Sequence, residues 1–457
     1  MFRIFSFFLL VAALAAAPAD WIWSGRYVIT MDPQRRVIEN GAVAVSGARI
    51  VGVGRQSEIN ARFQPKQRLD RPDAILAPGL IDTHTHAAMS LFRGISDDQK
   101  LDDWLNKFIF PAEAKNVSPD FVRWGTRLGV LEMLLGGTTT FTDMYYFEDV
   151  VAEVAKEAGM RGVLGETIIG FAVADAKTPA DSLRFTEAYL ERYRHDPLVI
   201  PAVAPHAIYT NTDETLKAAR ALANKYGAPL IIHLAETRKE NDDELAKRHM
   251  TPTKALDSLG VFNGRTIAAH CVWVNDADMA ILKSRSVGVA HCPSSNMKLA
   301  SGVAPVVKMR AMGIAVGLGP DGPAGSNNDF NMFEEMDLAA KLQKVFTGNP
   351  QALPAAAALE MATIGGARVL GMEKEIGSIE TGKRADMITI RLDRPNAVPL
   401  YDPISQMVYA LKAEDVRDVM INGRAVVRDG KSLTLDEPRI MQKAAEYRAK
   451  VSASLKR

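Results

Sequence analysis

The sequence predicts an α/β fold, a (β/α)8 barrel carrying a small β-sandwich domain assembled from both chain ends. Three observations lead there. Eight short apolar runs alternate with longer helical patterns through the middle of the chain, the signature of a parallel sheet wrapped by helices. Most of those runs stop at a histidine or an aspartate. Both flanks instead show Val/Ile-rich runs broken by Gly, Pro and Asp, which read as strands without helices. The 457 residues are 47% apolar, enough for a large core, and the net charge of +1 leaves no basic excess to serve as a nucleic-acid footprint.

In chain order, residues 1–19 read as a secretory signal peptide. Arg3 precedes the apolar run from Ile4 to Leu14, and small residues follow, with a cut expected near Ala17 or Ala19. A retained N-terminal anchor is the alternative, although the run is short for a bilayer span. This implies an exported protein, periplasmic or secreted, with no membrane association after cleavage. Residues 20–78 and 381–435 form the composite β domain, from "YVITMD", "AVAVSGARIVGVG" and "AILAPG" at one end and "RADMITIRLD" and "VRDVMINGRAVVRDG" at the other. Residues 79–380 form the barrel, with strands expected at "GLIDTHTH", "TTTFTDM", "RGVLGETI", "VIPAVAPH", "PLIIHLAE", "RTIAAHC", "VGVAHCP" and "IAVGLGPDG". Residues 436–457 form a packing helix with Ile440, Ala444, Tyr447, Val451 and Leu455 on one face. Cys271 and Cys292 each follow a histidine in an apolar run, outside any C-x-x-C pair, and read as buried free thiols, with a disulfide between neighbouring strands as the alternative.

The chemistry concentrates at the strand ends. Strand side chains alternate, so Asp82, His84 and His86 share a face, and the C-terminal ends of barrel strands are where active sites are built. Of eight histidines, six stand at expected strand ends: His84, His86, His206, His233, His270 and His291. His195 and His249 lie elsewhere and read as surface residues. The eighth run ends in Asp321, and Glu236 follows His233 by three residues. Three histidines and an aspartate suit a water-activating divalent cation, with a carboxyl beside it for proton transfer. No lysine closes the fourth strand, so a carbamylated lysine bridging two metals is not available there, and one metal is expected.

Together the motifs "PGLIDTHTHAAMSLFRG", "DDWLNKFIFPAEAK", "GGTTTFTDMYY", "APHAIYT", "IIHLAET", "AAHC", "HCPSSNMKLASG" and "DGPAGSNNDFNMFEEM" resemble the metal-dependent amidohydrolase superfamily, in the branch of 5'-methylthioadenosine/S-adenosylhomocysteine deaminases and triazine hydrolases. The resemblance runs from about Trp23 to Gly430. It implies that His84, His86, His233 and Asp321 hold one divalent ion, zinc or else iron(II). It implies that Glu236 protonates the ring nitrogen and that His270 holds the attacking water. Glu113 then binds ribose hydroxyls, the other reading being a solvated helix-start residue, and His206 contacts substrate. The implied reaction is hydrolytic deamination, in which the ion lowers the pKa of water from 15.7 to about 7 and Asp321 takes the water's proton.

Two positions depart from the pattern. Where S-adenosylhomocysteine-accepting relatives carry an arginine after the third strand, simple register puts Glu166, which would repel the amino-acid carboxylate, so methylthioadenosine or adenosine is favoured. Pro320 replaces the Thr that commonly precedes the metal aspartate. The partner expected is thus a small heterocyclic molecule, not nucleic acid, with homo-oligomer formation left open. Three alternatives stand: a chlorohydrolase or other ring hydrolase, an amide or cyclic-amide hydrolase, and a catalytically inactive binding homologue.

Overall fold

The computed structural model describes residues 16–455. Each of the eight expected runs contains a strand, the first only two residues long: Leu80–Ile81, Thr138–Tyr145, Arg161–Ile168, Val199–Pro205, Leu230–Leu234, Thr266–His270, Gly288–His291 and Val316–Leu318. They pair in sequence order, each parallel to the next. Parallel bridges of Asp82 with Leu318 and Thr85 with Asp321 join the eighth strand to the first and close the barrel. The strands are buried along nearly their whole length, which is why they read as continuous apolar runs and not as alternating ones. Between them, helices start at side-chain caps such as Thr212 and Thr237 and end at left-handed glycines such as Gly159 and Gly227.

The two flanks meet in one mixed eight-stranded sheet. Its central strand, Phe63–Pro78, pairs parallel with Ala17–Ile29 and antiparallel with Met387–Arg391. Trp23, Val43, Ile50, Leu76, Met387 and Met420, drawn from both ends of the chain, share one buried cluster. The first strand begins inside the stretch expected to be leader: Ala17–Ala19 pair with Phe63–Pro65, and Ala19 is buried. The remainder of that expected leader, residues 1–15, lies outside the described residues. Among the described residues, no helix is long and apolar enough to cross a membrane.

The sheet is bolted to the base of the barrel. Arg161, at the start of the third strand, donates to Asp386 at 2.9 Å, and both side chains are almost fully buried. The last helix, Glu437–Leu455, buries Ile440, Tyr447 and Val451, and the Tyr447 hydroxyl donates to Asp120 on the neighbouring helix Pro119–Leu135. Cys271 and Cys292 are buried free thiols, whose hydrogen bonds go to backbone carbonyls of their own strands.

Candidate metal centre and active site

The strand ends turn sharply where the chemistry sits. Ala235, His270, Cys271 and Asp321 all adopt positive φ, between 47° and 72°, a conformation that costs free energy in residues with a Cβ and clusters at functional sites. The eighth strand approaches the first so closely that a Cβ on Gly319 would lie 2.7 Å from the His84 backbone, so only glycine fits there. These turns gather five side chains into two overlapping groups that share His84. The ligating atoms of His84, His86 and Asp321 lie within 4.8 Å of one another, and so do those of His84, His233 and His270. Asp321 Oδ1 is 3.4 Å from His84 Nε2 and 3.2 Å from His86 Nε2.

The second nitrogen of most of these rings is engaged. His86 Nδ1 lies 2.6 Å from the Met144 carbonyl, His233 Nδ1 lies 2.8 Å from the His206 carbonyl, and His270 Nδ1 lies 3.0 Å from Asn296 Oδ1. Each acceptor fixes Nδ1 as the N–H and leaves the Nε2 lone pair facing inward, as metal-binding imidazoles require. His84 is fully buried with both ring nitrogens lacking a hydrogen-bond partner, which a cation at Nε2 would remedy. Asp321 Oδ2 accepts from Ser295 at 2.7 Å, leaving Oδ1 for the centre. The donor set of imidazole nitrogens and one carboxylate fits a divalent ion of the zinc type.

Electrostatics agree with this arrangement. Burial pulls His84 down to about 4 and His206 to about 3, so both are neutral. For Asp321 burial opposes ionisation, but the adjacent imidazoles of His84 and His86 prevail and hold it well below the usual carboxylate range. His86 runs the other way, raised to about 9 because Asp321 outweighs its desolvation. A proton on His86 and a cation therefore compete for one lone pair.

His86, His206, His233, His270, Asp321, Glu236 and Glu113 line one cavity above the barrel mouth, and His84 lies fully buried next to them. Glu236 is 3% exposed, and its Oε2 lies 3.7 Å from His270 Nε2. Burial, reinforced by the charge of Asp321, raises it to about 8, so it holds a proton at neutral pH. Glu240 keeps it in place by accepting from the backbone N–H groups of Ala235 and Glu236, both at 2.9 Å. Glu113 is not a solvated helix-start residue. It is 6% exposed and accepts from the hydroxyls of Tyr145 at 2.7 Å and Tyr146 at 3.4 Å, and burial raises it to about 7. It sits on a helical segment spanning 101–116 that widens to a π-turn over Trp104–Ile109, and this segment forms one wall of the cavity. His206 contacts Thr210 Oγ1 at 3.1 Å through Nδ1.

The expectation for Glu166 is overturned. It faces away from the cavity, accepting from the Glu148 backbone N–H at 2.9 Å against the outer helix Glu148–Ala158. Its neighbour Thr167 faces inward instead, as strand alternation demands. Glu166 adjoins the half-buried Asp175, and Asp143 adjoins Glu148, so three buried carboxyls and one half-buried one stand together behind the site. Asp82, on the ligand face by register, supports the turn: its Oδ1 accepts from the His84 backbone N–H at 2.9 Å. Ser295, Asn296, Glu240, Tyr145 and Tyr146 escaped the sequence reading. The first two lie in the quoted "HCPSSN" run, directly after the seventh strand, which is the one signal that pointed to them.

The sequence model described as the Amidohydrolase family matches residues 75–426. A 5-methylthioadenosine/S-adenosylhomocysteine deaminase from Thermodesulfovibrio yellowstonii is 44% identical over 436 residues, covering 95% of this chain and 99% of the relative. Among solved structures, an adenosine deaminase from Xanthomonas campestris with bound zinc superposes with a TM-score of 0.94 at 38% identity, over 96% of this chain and 100% of the other. An atrazine chlorohydrolase from Arthrobacter aurescens TC1, complexed with zinc, gives 0.85 at 26% identity, over 93% of this chain and 99% of the other. A match of that extent, on a closed barrel whose strand ends gather histidines and one aspartate, makes the chain a member of the amidohydrolase family and a hydrolase of carbon–nitrogen bonds other than peptide bonds.

Proposed function

We propose that this protein is a metal-dependent hydrolytic deaminase of an aminopurine nucleoside, of the 5'-methylthioadenosine or adenosine type, releasing ammonia. The observation that carries the substrate is Glu113, a buried carboxylate held by two tyrosine hydroxyls on the wall of the same cavity as Glu236. A triazine or a free base can offer it only N–H donors, whereas a nucleoside presents two vicinal hydroxyls that suit a carboxylate. The names of relatives at 44% identity and of the Xanthomonas neighbour support the same class.

His84, His86, His233 and Asp321 would hold one divalent ion, zinc or else iron(II), which supplies Lewis-acid activation of water. The rest is the chain's own work. Asp321, anionic at neutral pH, accepts the proton of the attacking water. His270, fixed through Asn296, orients that water and faces the charge that develops. Glu236, protonated near neutrality, gives its proton to the ring nitrogen and relays another to the departing ammonia. His206, neutral and beside His233, contacts the substrate. Ammonia release across adenosine, methylthioadenosine, guanine, cytosine and a chlorotriazine tests this reading: nucleoside turnover is expected, and chloride release from the triazine without nucleoside turnover would replace it with the chlorohydrolase reading.

Export is part of the proposal, motivated by Arg3 and the apolar run Ile4 to Leu14. Ala13 and Ala15 offer the same small-residue spacing as the later alanines. A cut after Ala15 leaves intact the strand that pairs Ala17 with Phe63. N-terminal sequencing of the mature protein from a periplasmic fraction checks both points, and an uncut chain in the cytoplasmic fraction would exclude them.

A further inference from the structure

A separate cavity of about 560 Å3 shares no lining residue with the catalytic one. That volume is within the range of ligand-binding clefts. Helix Pro119–Leu135 gives one wall and the last helix, Glu437–Leu455, gives another. A third comes from Asp329, Phe330 and Asn331, which end the loop that begins at Asp321 and places Ser326 in the catalytic cavity. One loop therefore contributes to both cavities.

Two helical stripes build its walls. Leu128, Leu131 and Leu135 stand at i, i+3 and i+7 on their helix, and Glu437, Met441 and Ala444 at i, i+4 and i+7 on theirs. The last helix packs through a different stripe, Ile440, Tyr447 and Val451. Ala444 is too small to fill the space beside it, and Met441 stays 57% exposed. Phe330, almost fully buried, adds an aromatic surface. The charges are one-sided. Glu132, Asp329, Glu414 and Glu437 line the cavity against a single cation, Arg93. Arg93 pairs with Glu132 and lies over the Phe330 ring, 5.8 Å from its centroid. That pairing leaves Asp329, Glu414 and Glu437 without a cation among the lining residues. Arg439 and Lys443 of the last helix lean over Trp124 instead, 5.6 and 5.7 Å from its ring centroid. Burial raises Asp329 above its ordinary value, and the charge of Glu132 beside it adds to that. A cation entering the cavity offsets this repulsion, whereas an anion adds to it. An apolar body leaves water against the leucine stripe.

We propose that this cavity is a binding site for small hydrophobic ammonium ions, with the apolar body against Leu128, Leu131, Leu135 and Phe330 and the cationic head toward Asp329, Glu414 and Glu437. Charge complementarity selects the head, and the leucine stripe selects the body. Occupancy is read by binding alone, without turnover, so the site stands or falls separately from the nucleoside reading above.

The probe is n-octyltrimethylammonium, whose quaternary nitrogen has no lone pair to offer a metal. Titration calorimetry of the full metal-loaded chain compares it with 1-octanol and octanesulfonate, all below micelle-forming concentrations. The ammonium ion is expected to saturate and to bind at least tenfold more tightly than the sulfonate, with octanol between them. Met441→Arg, at an exposed position, should weaken it at least tenfold, and so should Asp329→Asn combined with Glu437→Gln; thermal melting reports whether each variant is folded. The ranking of the three probes on the unaltered chain needs no variant, so it decides the matter even if a variant fails to fold. Sulfonate binding as tight as that of the ammonium ion overturns the proposal, and so does the absence of saturable binding. Ammonium binding unchanged in both folded variants places the ion elsewhere and overturns this site. A dimer in light scattering that Met441→Arg dissociates would make this face an interface between copies of the chain, and the ligand site would fall.

Discussion

Glu236 and Glu113 are two carboxyls in one cavity with different tasks, and burial serves each differently. Raised to about 8, Glu236 is protonated when substrate arrives. Glu236→Gln keeps the shape and the backbone bonds from Glu240 but cannot cycle a proton, a role worth about 10²–10⁴-fold in rate. Ammonia release should drop by that factor while metal analysis still finds about one ion per chain, as for a site with its ligands intact; more than a tenth of the original rate would remove Glu236 from the chemistry. In its proposed role Glu113 must instead be ionised to accept from two ribose hydroxyls, and burial raises it to about 7. As pH falls through 7, protonation turns an acceptor oxygen into a donor, so kcat/KM for adenosine should decline on the acid side. Glu113→Gln should lower kcat/KM at least tenfold, in line with about 1.5–3 kcal/mol for a charge-assisted hydrogen bond, and should abolish that limb near 7. An unchanged acid limb in the variant would assign it to another group.

At the scale of elements, the strands were legible and the walls were not. A parallel strand buried on both faces must be apolar throughout and gives way to active-site loops at its end, so its position is written in the sequence, although the first and eighth strands stop at Ile81 and Leu318, short of His84, His86 and Asp321. That is why the sequence alone groups His84, His86, His233, His270 and Asp321. The segment 101–116 is different. Its apolar residues mark a helix, but the π-turn at Trp104–Ile109 that turns Leu105, Ile109 and Glu113 toward one cavity has no periodicity of its own. Glu166 shows a second limit: counting along the chain located it beside the site but did not tell which face of the strand it occupied. The join between barrel and sheet makes its own prediction. Arg161→Ala would leave Asp386 buried with its main cationic partner gone, and breaking a buried pair costs about 3–5 kcal/mol. Chemical denaturation should report that loss, with Arg161→Lys intermediate; a cost under about 1 kcal/mol would mean that water reaches Asp386 in the variant.

For the whole molecule, the two-ended sheet was legible as composition and the continuity of its core with the barrel was not. Ile29, Met31, Ile75, Val419 and Ile421 from the sheet belong to the same hydrophobic cluster as barrel residues Leu164, Val203 and Leu318. Such packing is long-range in sequence, and nothing local announces it. It ties residues near 30 to residues near 420 in one body, so the barrel does not stand apart from the chain ends that buttress it.

Three buried carboxyls behind the site, Asp143, Glu148 and Glu166, make the fold a store of protons. Burial raises Glu148 and Glu166 well above 4.5 and Asp143 to about 6, so near neutrality the native chain binds protons that the unfolded chain releases. Stability from these groups is therefore fully present below about 4 and is lost as pH rises through their native values. Buried histidines oppose this, but only below their unfolded value of about 6.5, because His206 and His291 titrate near 3 in the fold. Between pH 6.5 and 8 the carboxyls act without that opposition, and His86, raised to about 9, acts with them. Calorimetry of the metal-free protein should find a higher Tm at pH 6.5 than at pH 8, with net proton release on melting, and Glu166→Gln should flatten the slope. A Tm that climbs toward pH 8 would mean that the carboxyls are charged in the native state and neutralised by something other than protons.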